Sequence, residues 1–436
     1  MKIAIIGAGA TGLATAYYLS KKNHEVIVYE QSEYAGGHAS TFEIDGTHLE
    51  RAYHHWFKND YEILELCEEI GLSNPIGWFP SKVGTFYKGD IYNFNTPIDL
   101  LKYTPLTLLN RFRLGLSTLK IRKIKSWKSV ESITAVEWLK KNAGLSAYKA
   151  FWEPMLRGKF GEEHYQQIGM AWIWGKIHTR IASRKGIMSK EHLGYPLGSF
   201  KDFFDSLYDK TIEQGVEVNL STSVTKIISN DNGVQGLQIN QNDLTKKFDS
   251  VICTLPSNVF MKITPNLNKS YIKKLESAQY MSAVLLILVT HHPISDMYWI
   301  NIADREIPFV GVIEHTNLIP TSYYSNKHIT YLTNYITKSD PLYTMSSSEL
   351  LSEYLPHIKK INPNFESSWI KDYYYHKIDN AQPIITPNYS QNIPPHKTNI
   401  NNLYLANTTQ IYPEDRGTNY SIKMAINVVN LIEESS

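Results

Sequence analysis

The stretch KIAIIGAGATGLATAYYLSKKNHEVIVYE, residues 2–30, decides the fold. "KIAIIG" is a short apolar run of strand length, "ATGLATAYYLSKKN" has helical spacing, and "EVIVYE" is a second strand. A strand, helix, strand unit at this point predicts an α/β fold with a parallel sheet of Rossmann type. Gly7, Gly9 and Gly12 fit G-x-G-x-x-G between strand and helix, with Ala10 and Thr11 opening the helix. Gly7 permits the tight turn, Gly9 lets backbone approach a pyrophosphate, and Gly12 lets helix and strand pack closely. The helix start then faces phosphate charge. Glu30 closes the second strand where a carboxylate accepts hydrogen bonds from a ribose, which suits an adenosine with a free 2′-hydroxyl.

NAD and FAD share this fingerprint, and "EQSEYAGGHAS" separates them. Gly36 and Gly37 allow a second length of backbone to run beside the diphosphate. From these residues on, the chain resembles the flavin amine oxidase superfamily, which includes protoporphyrinogen oxidases, phytoene and squalene desaturases and, more distantly, UDP-galactopyranose mutase. The resemblance covers nearly the whole chain and implies FAD, wrapped by a stretch in which this sequence carries His38 where the family has Arg or Asn. It also implies that Val224, in "TSVTKI", lies against the adenine through its backbone. "NLYLANTTQIYPEDRGTNYSIKMA" resembles the C-terminal flavin motif, with Asn407 in place of the family's Gly. Gly417, Thr418, Asn419 and Tyr420 stand at the start of its helix, where free N–H groups would stabilise the negative charge of reduced flavin. Glu414, Asp415 and Arg416 read either as part of this site or as surface turn residues.

At 436 residues the chain exceeds the roughly 250–300 at which one hydrophobic core stops growing, so two domains are expected. The sequence divides into a discontinuous FAD-binding domain, 1–95, 191–262 and 385–436, and a substrate domain. The latter comprises a helical insert at 96–190 and an antiparallel sheet at 263–384. Two cysteines, Cys67 and Cys253, support neither a disulfide framework nor a metal site, which points to a reducing, cytoplasmic compartment. The apolar start is not read as a signal peptide, because "SKKNHEVIVYE" completes the βαβ unit. No run is long and apolar enough to span a bilayer, and no nucleic-acid partner is expected; the oligomeric state is left open. Residues 100–130 hold Lys102, Arg111, Arg113, Lys120, Arg122, Lys123, Lys125 and Lys128 among leucines, with no acid. That mixture suits a peripheral helix on the anionic inner face of a membrane, or an amphipathic helix with a solvated basic face.

A flavin accepts hydride itself, so no nucleophile, triad or metal is required of the protein. Three stretches supply catalytic candidates. His54 and His55, in "ERAYHHWFKND", match the histidine-bearing loop near the flavin in the related desaturases and mutase; they would donate to flavin or substrate and titrate near neutral pH, or simply pack. Arg157 and Arg180, with Lys159, are positive groups among aromatics that suit a phosphate or carboxylate, or else pair with Glu153, Glu162 and Glu163. Glu314 and His315 end a strand and could take a proton, or serve as polar strand ends. The expected function is an FAD-dependent oxidoreductase that takes hydride from a C–N or C–C bond of an amphiphilic or anionic small molecule. The alternatives are a mutase-like enzyme using reduced FAD without net redox change, and a non-enzymatic carrier of the same fold.

Overall fold

The computed structural model describes residues 1–183, 190–240 and 245–434, so the end of the expected helical insert, 184–189, lies outside the described residues. "KIAII" and "EVIVY" form the strands Lys2–Ile6 and Glu25–Tyr29, in each of which the last four residues are buried. They pair in parallel, Ile3 opposite Val26 and Ile6 opposite Tyr29. The sheet runs in the order Leu403–Leu405, Ser250–Cys253, Lys2–Ile6, Glu25–Tyr29, Glu217–Asn219, all parallel. Strands buried on both faces read as continuous apolar runs, which is why these were legible.

Helix α1 (Ala10–Ser20) follows the glycine-rich loop. The insert contributes α2 (Leu108–Lys123), capped by the Thr107 hydroxyl, then α3 (Glu153–His164) and α4 (Met170–Ala182). Helix α5 (Thr418–Glu433) closes the fold against α1.

A second, seven-stranded sheet runs Ile370–Pro383, Tyr280–Thr290, His328–Ile336, Gly311–Glu314, Trp299–Ile302, Val83–Tyr87, Asp90–Asn93. "HITYLTNYI" is a strand residue for residue. Within "AVLLILVT", Leu285 and Ile287 face the core shared with α4, while Leu286 and Leu288 face the side covered by the helix Ser347–Ile361. The strand is thus buried on both faces, without the apolar–polar alternation that an antiparallel sheet with one solvated face shows.

Three features depart from the sequence reading. Val83–Tyr87 and Asp90–Asn93 join the second sheet, so that sheet crosses the expected boundary at 95. Within the stretch 191–262 assigned to the FAD-binding domain, the strands Val224–Asn230, Gly233–Ile239 and Thr245–Lys247 form a separate antiparallel sheet outside the parallel one. Two residues join Val224–Asn230 to Gly233–Ile239, with Gly233 at φ 124° opening the second strand, and so short a link joins only antiparallel neighbours. Ile370–Pro383 was not expected as a strand; it lies at the sheet edge, half-exposed over most of its length, and shows no apolar period.

Candidate active site

The glycine-rich loop and the second glycine pair form one cradle. Gly7 turns the chain out of its strand at φ 104°, and a Cβ on Gly12 would lie 1.9 Å from the Gly7 carbonyl oxygen. The Gly36 N–H donates to the Ala8 carbonyl at 2.9 Å, and a Cβ on Gly37, at φ 56°, would lie 3.2 Å from Gly9 Cα. Two lengths of backbone therefore run side by side, with Gly37 exposed. The first bond of α1 runs from Leu13 N–H to Gly9 C=O, and no side chain caps Gly9. The N–H groups of Ala10, Thr11 and Gly12 thus precede the helical ladder and suit a phosphate. The Glu30 carboxylate accepts the Ala8 and Ser32 N–H groups, both at 2.8 Å, which fixes its direction and leaves lone pairs for ribose hydroxyls. Ser221 and Thr222 donate to the Ser32 and Glu30 carbonyls, which sets Val224 at the start of the strand beside the acid. These residues fit the adenosine diphosphate half of FAD: side chains are excluded where backbone must approach, and the ribose acceptor is oriented.

The other half of the site is a cavity of about 330 Å³. Helices α3 and α4, the second sheet, the 52–60 loop and the start of α5 enclose it. At that helix start the side chains are tied to the fold: Thr418 Oγ1 accepts the Trp56 indole N–H at 3.0 Å, and Asn419 Oδ1 accepts Ile63 N–H at 2.9 Å. Tyr420 meets the Thr179 hydroxyl at 3.3 Å. With the side chains so pinned and Gly417 uncapped, it is backbone N–H groups that the helix turns to the cavity. His38 lines the same wall, and burial with the Arg416 charge lowers its pKa to about 4.

The cavity is cationic. Lys159, Lys176, Arg180 and Arg416 line it, against Asp415 and Asp60. Lys159 Nζ and Lys176 Nζ each lie 3.5 Å from Asp415 Oδ2, and Trp172 donates to its other oxygen at 3.3 Å. Burial works against the Asp415 charge, yet Lys159, Lys176 and Arg416 hold the carboxyl well below its usual range. Burial pulls Lys176 down to about 8 despite Asp415, and burial pushes Asp60 up to about 7. Arg416 donates to Tyr335 Oη at 3.1 Å, and Lys159 sits 4.6 Å over the Tyr335 ring. Burial alone would raise that phenol; Lys159, Arg416 and the bond from Tyr53 outweigh it and bring it below its ordinary value. Phe94, Phe151, Trp299, Leu285 and Val310 supply apolar wall.

His54 and His55 both line the cavity. His54 Nδ1 donates to the Ala52 carbonyl at 2.6 Å, which fixes the tautomer and leaves Nε2 as an acceptor. Burial lowers His54 to about 4 and His55, 3.0 Å from Tyr298 Oη, to about 3. Both rings are neutral at pH 7, so the expected titration near neutrality is corrected.

Arg180 joins the cavity; Arg157 and His315 do not line it. Arg157 is buried, pairs with Glu162 at 3.4 Å and donates to the Ala303 carbonyl at 2.8 Å. His315 meets Tyr324 Oη at 2.7 Å in a buried cluster with Tyr195 and Glu50. Glu314 accepts from Thr316, Thr330 and the Ile294 N–H. Asn407 is a clip: Oδ1 accepts Thr409 N–H at 3.1 Å and Nδ2 donates to the Leu255 carbonyl at 2.9 Å. Asp415 and Arg416 line the cavity rather than a surface turn. Sequence reasoning missed Lys176, Tyr335 and Tyr53. Lys176 had a signal, standing four residues from both Trp172 and Arg180 on one helix face; Tyr335 had none among 29 tyrosines.

A Rossmann-type cradle, followed in the chain by His38 on the wall of a cavity that a second sheet bounds, defines a flavoprotein of the oxidoreductase class. The chain belongs to the flavin-containing amine oxidoreductase family, whose model matches residues 10–413, and FAD is accordingly its cofactor. Coproporphyrinogen III oxidase of Staphylococcus aureus (strain NCTC 8325 / PS 47) is 26% identical over 65% of this chain and 66% of its own length. The 15-cis-phytoene desaturase of Synechococcus elongatus (strain ATCC 33912 / PCC 7942 / FACHB-805) is 29% identical over 32% of this chain and 33% of its own length. The matches to these curated relatives thus span less than two thirds of each. A crystal structure of reduced UDP-galactopyranose mutase covers 100% of this chain and 94% of that one with a TM-score of 0.72 at 12% identity, a likeness of fold alone. Among the described residues, no helix is long and apolar enough to cross a membrane.

Proposed function

We propose that this chain takes hydride from a C–N or C–C bond of an anionic, amphiphilic small molecule, with FAD as the acceptor. The observation that carries the reading is the set of four cations, Lys159, Lys176, Arg180 and Arg416, that line the cavity together with the ionised Asp415 within aromatic and apolar walls. FAD supplies the hydride acceptor when bound. Glu30, the glycine-rich loop, the pair Gly36 and Gly37 and the start of α1 would hold its diphosphate and ribose, with Val224 beside the adenine. Arg180 and Lys176 would bind a carboxylate or phosphate. Phe94, Phe151 and Trp299 would cover the apolar body and exclude water. Tyr335, its hydroxyl held by Arg416, the free Nε2 of His54 and Asp60 are the proton acceptors that the cavity wall offers.

The relative named for coproporphyrinogen III makes that carboxylated tetrapyrrole the first compound to try. The FAD-loaded protein is mixed anaerobically with it and with its methyl esters while the visible flavin band is followed. Bleaching by the acid and not by the esters is expected. If no carboxylated or phosphorylated donor bleaches the band, and turnover requires prior reduction, the mutase-like use of FAD replaces this reading.

A further inference from the structure

We propose that the outward face of α2 docks on an anionic lipid bilayer. The helix carries two apolar faces. Leu114, Ser117 and Ile121 are buried against the protein, whereas Leu108, Leu109, Phe112, Leu116 and Leu119 are 45–69% exposed. At 3.6 residues per turn those five fall within roughly 100° of arc, opposite the buried three. Ile98, Leu101 and Leu145, also exposed, lie on the short helices Pro97–Leu101 and Leu145–Ala147 that contact α2. A helix on a water-facing surface keeps its outer face polar, and a contiguous apolar patch of this kind marks an interaction surface.

The charge around the patch selects the occupant. On the same helical wheel Arg111 and Arg122 border one side of the apolar stripe, and Arg113 and Lys120 the other. The partners of Arg111 and Lys120 are neutral, the Leu106 carbonyl and the Asn142 side-chain oxygen. No acid occurs between residues 100 and 130. A second copy of this face would set like charges against one another, which disfavours self-association. A layer of anionic headgroups over a hydrocarbon interior complements both the cationic rim and the apolar stripe.

The docked helix would lie one layer from the cavity. Helix α4 turns Trp172, Lys176 and Arg180 to the cavity, and on its other side Trp174 and His178 bond the Ile124 and Ile121 carbonyls of α2 and its end. The inference holds whichever bond the enzyme oxidises, because binding is read without substrate.

The test is co-sedimentation of the full-length, FAD-loaded chain with vesicles of phosphatidylcholine alone or mixed with phosphatidylglycerol. The wild type should sediment with the mixed vesicles and be released by rising salt. The triple variant Leu109→Ser, Phe112→Ser, Leu116→Ser should partition on the order of 100-fold less while keeping its flavin absorbance and thermal midpoint. Arg113→Glu, Lys120→Glu, Arg122→Glu together should abolish the preference for phosphatidylglycerol. Wild type that stays in the supernatant with both vesicles overturns the proposal, as does unchanged sedimentation of the serine variant. A dimer that the serine variant turns into monomer, without vesicle binding, also overturns it and assigns the face to a second copy.

Discussion

The Lys176 ammonium lies 3.5 Å from the Asp415 carboxylate, although 239 positions separate them in the chain. One comes from α4 and the other from the turn before α5, so the pair fastens the helical insert to the flavin end of the fold.

Burial sets Lys176 at about 8, and an anionic ligand needs its charged form. Affinity for a carboxylated substrate should therefore fall as pH rises through about 8. Lys176→Met should weaken binding on the order of tenfold at neutral pH and remove that step, as read by titrating flavin difference spectra. Folding stability moves the other way: the folded value lies below the ordinary 10.5, so the unfolded chain binds more protons in between. The Lys176 contribution then rises with pH from about 8 to 10.5.

Asp415→Asn should cost about 2–4 kcal/mol in urea unfolding, because Lys159, Lys176 and Arg416 would face one another without a counter-ion. The wild-type carboxyl is depressed, so its stabilising contribution is present above the ordinary carboxylate range and is lost as pH falls through the folded value. The variant should lack that acid limb, and an added anionic ligand should restore part of the lost stability.

Gly37→Ala should release FAD while leaving the chain folded. The position sits at φ 56° with the added carbon 3.2 Å from Gly9 Cα, which should raise the FAD dissociation constant roughly tenfold to a hundredfold. Gly417→Ala is the contrast, since its backbone is extended and the nearest atom to an added carbon is 3.7 Å away. It should keep its FAD, as the ratio of flavin to protein absorbance will show.

The adenosine half of the site was legible in the sequence because its demands are local. A turn at Gly7, an acid at Glu30 and a close approach at Gly37 are each set by a few consecutive residues. The cationic cavity was only half legible. Arg180 and Lys159 stood out as charges among aromatics, whereas Tyr335 and Asp415 acquire their character from partners on other elements, which no local pattern encodes. Arg157 and His315 show the converse: they had the right residue types in a suggestive setting, but their polar atoms are consumed by the fold. The edge strand Ile370–Pro383 escaped the sequence reading for a related reason, since it is half-exposed and carries no period to read.

Glu50 offers a test of the buried cluster behind the cavity. Tyr195 Oη donates to both its oxygens at 2.9 and 3.0 Å and Phe200 N–H at 2.8 Å, yet burial pushes the carboxyl up to about 7. The folded chain thus holds this proton where the unfolded chain has lost it, so the Glu50 contribution declines as pH rises from 4.5 to about 7. The difference between wild type and Glu50→Gln, measured by chemical denaturation across that window, should change by about 3 kcal/mol.

Helix α4 gives one set of side chains to the cavity and the opposite set to α2. Residues 172, 176 and 180 can be exchanged without touching 174 and 178, so selectivity and attachment to the outer helix are separable on a single rod. A lineage could retune what the enzyme accepts from one side of α4 while the contacts to α2 on its other side stay fixed.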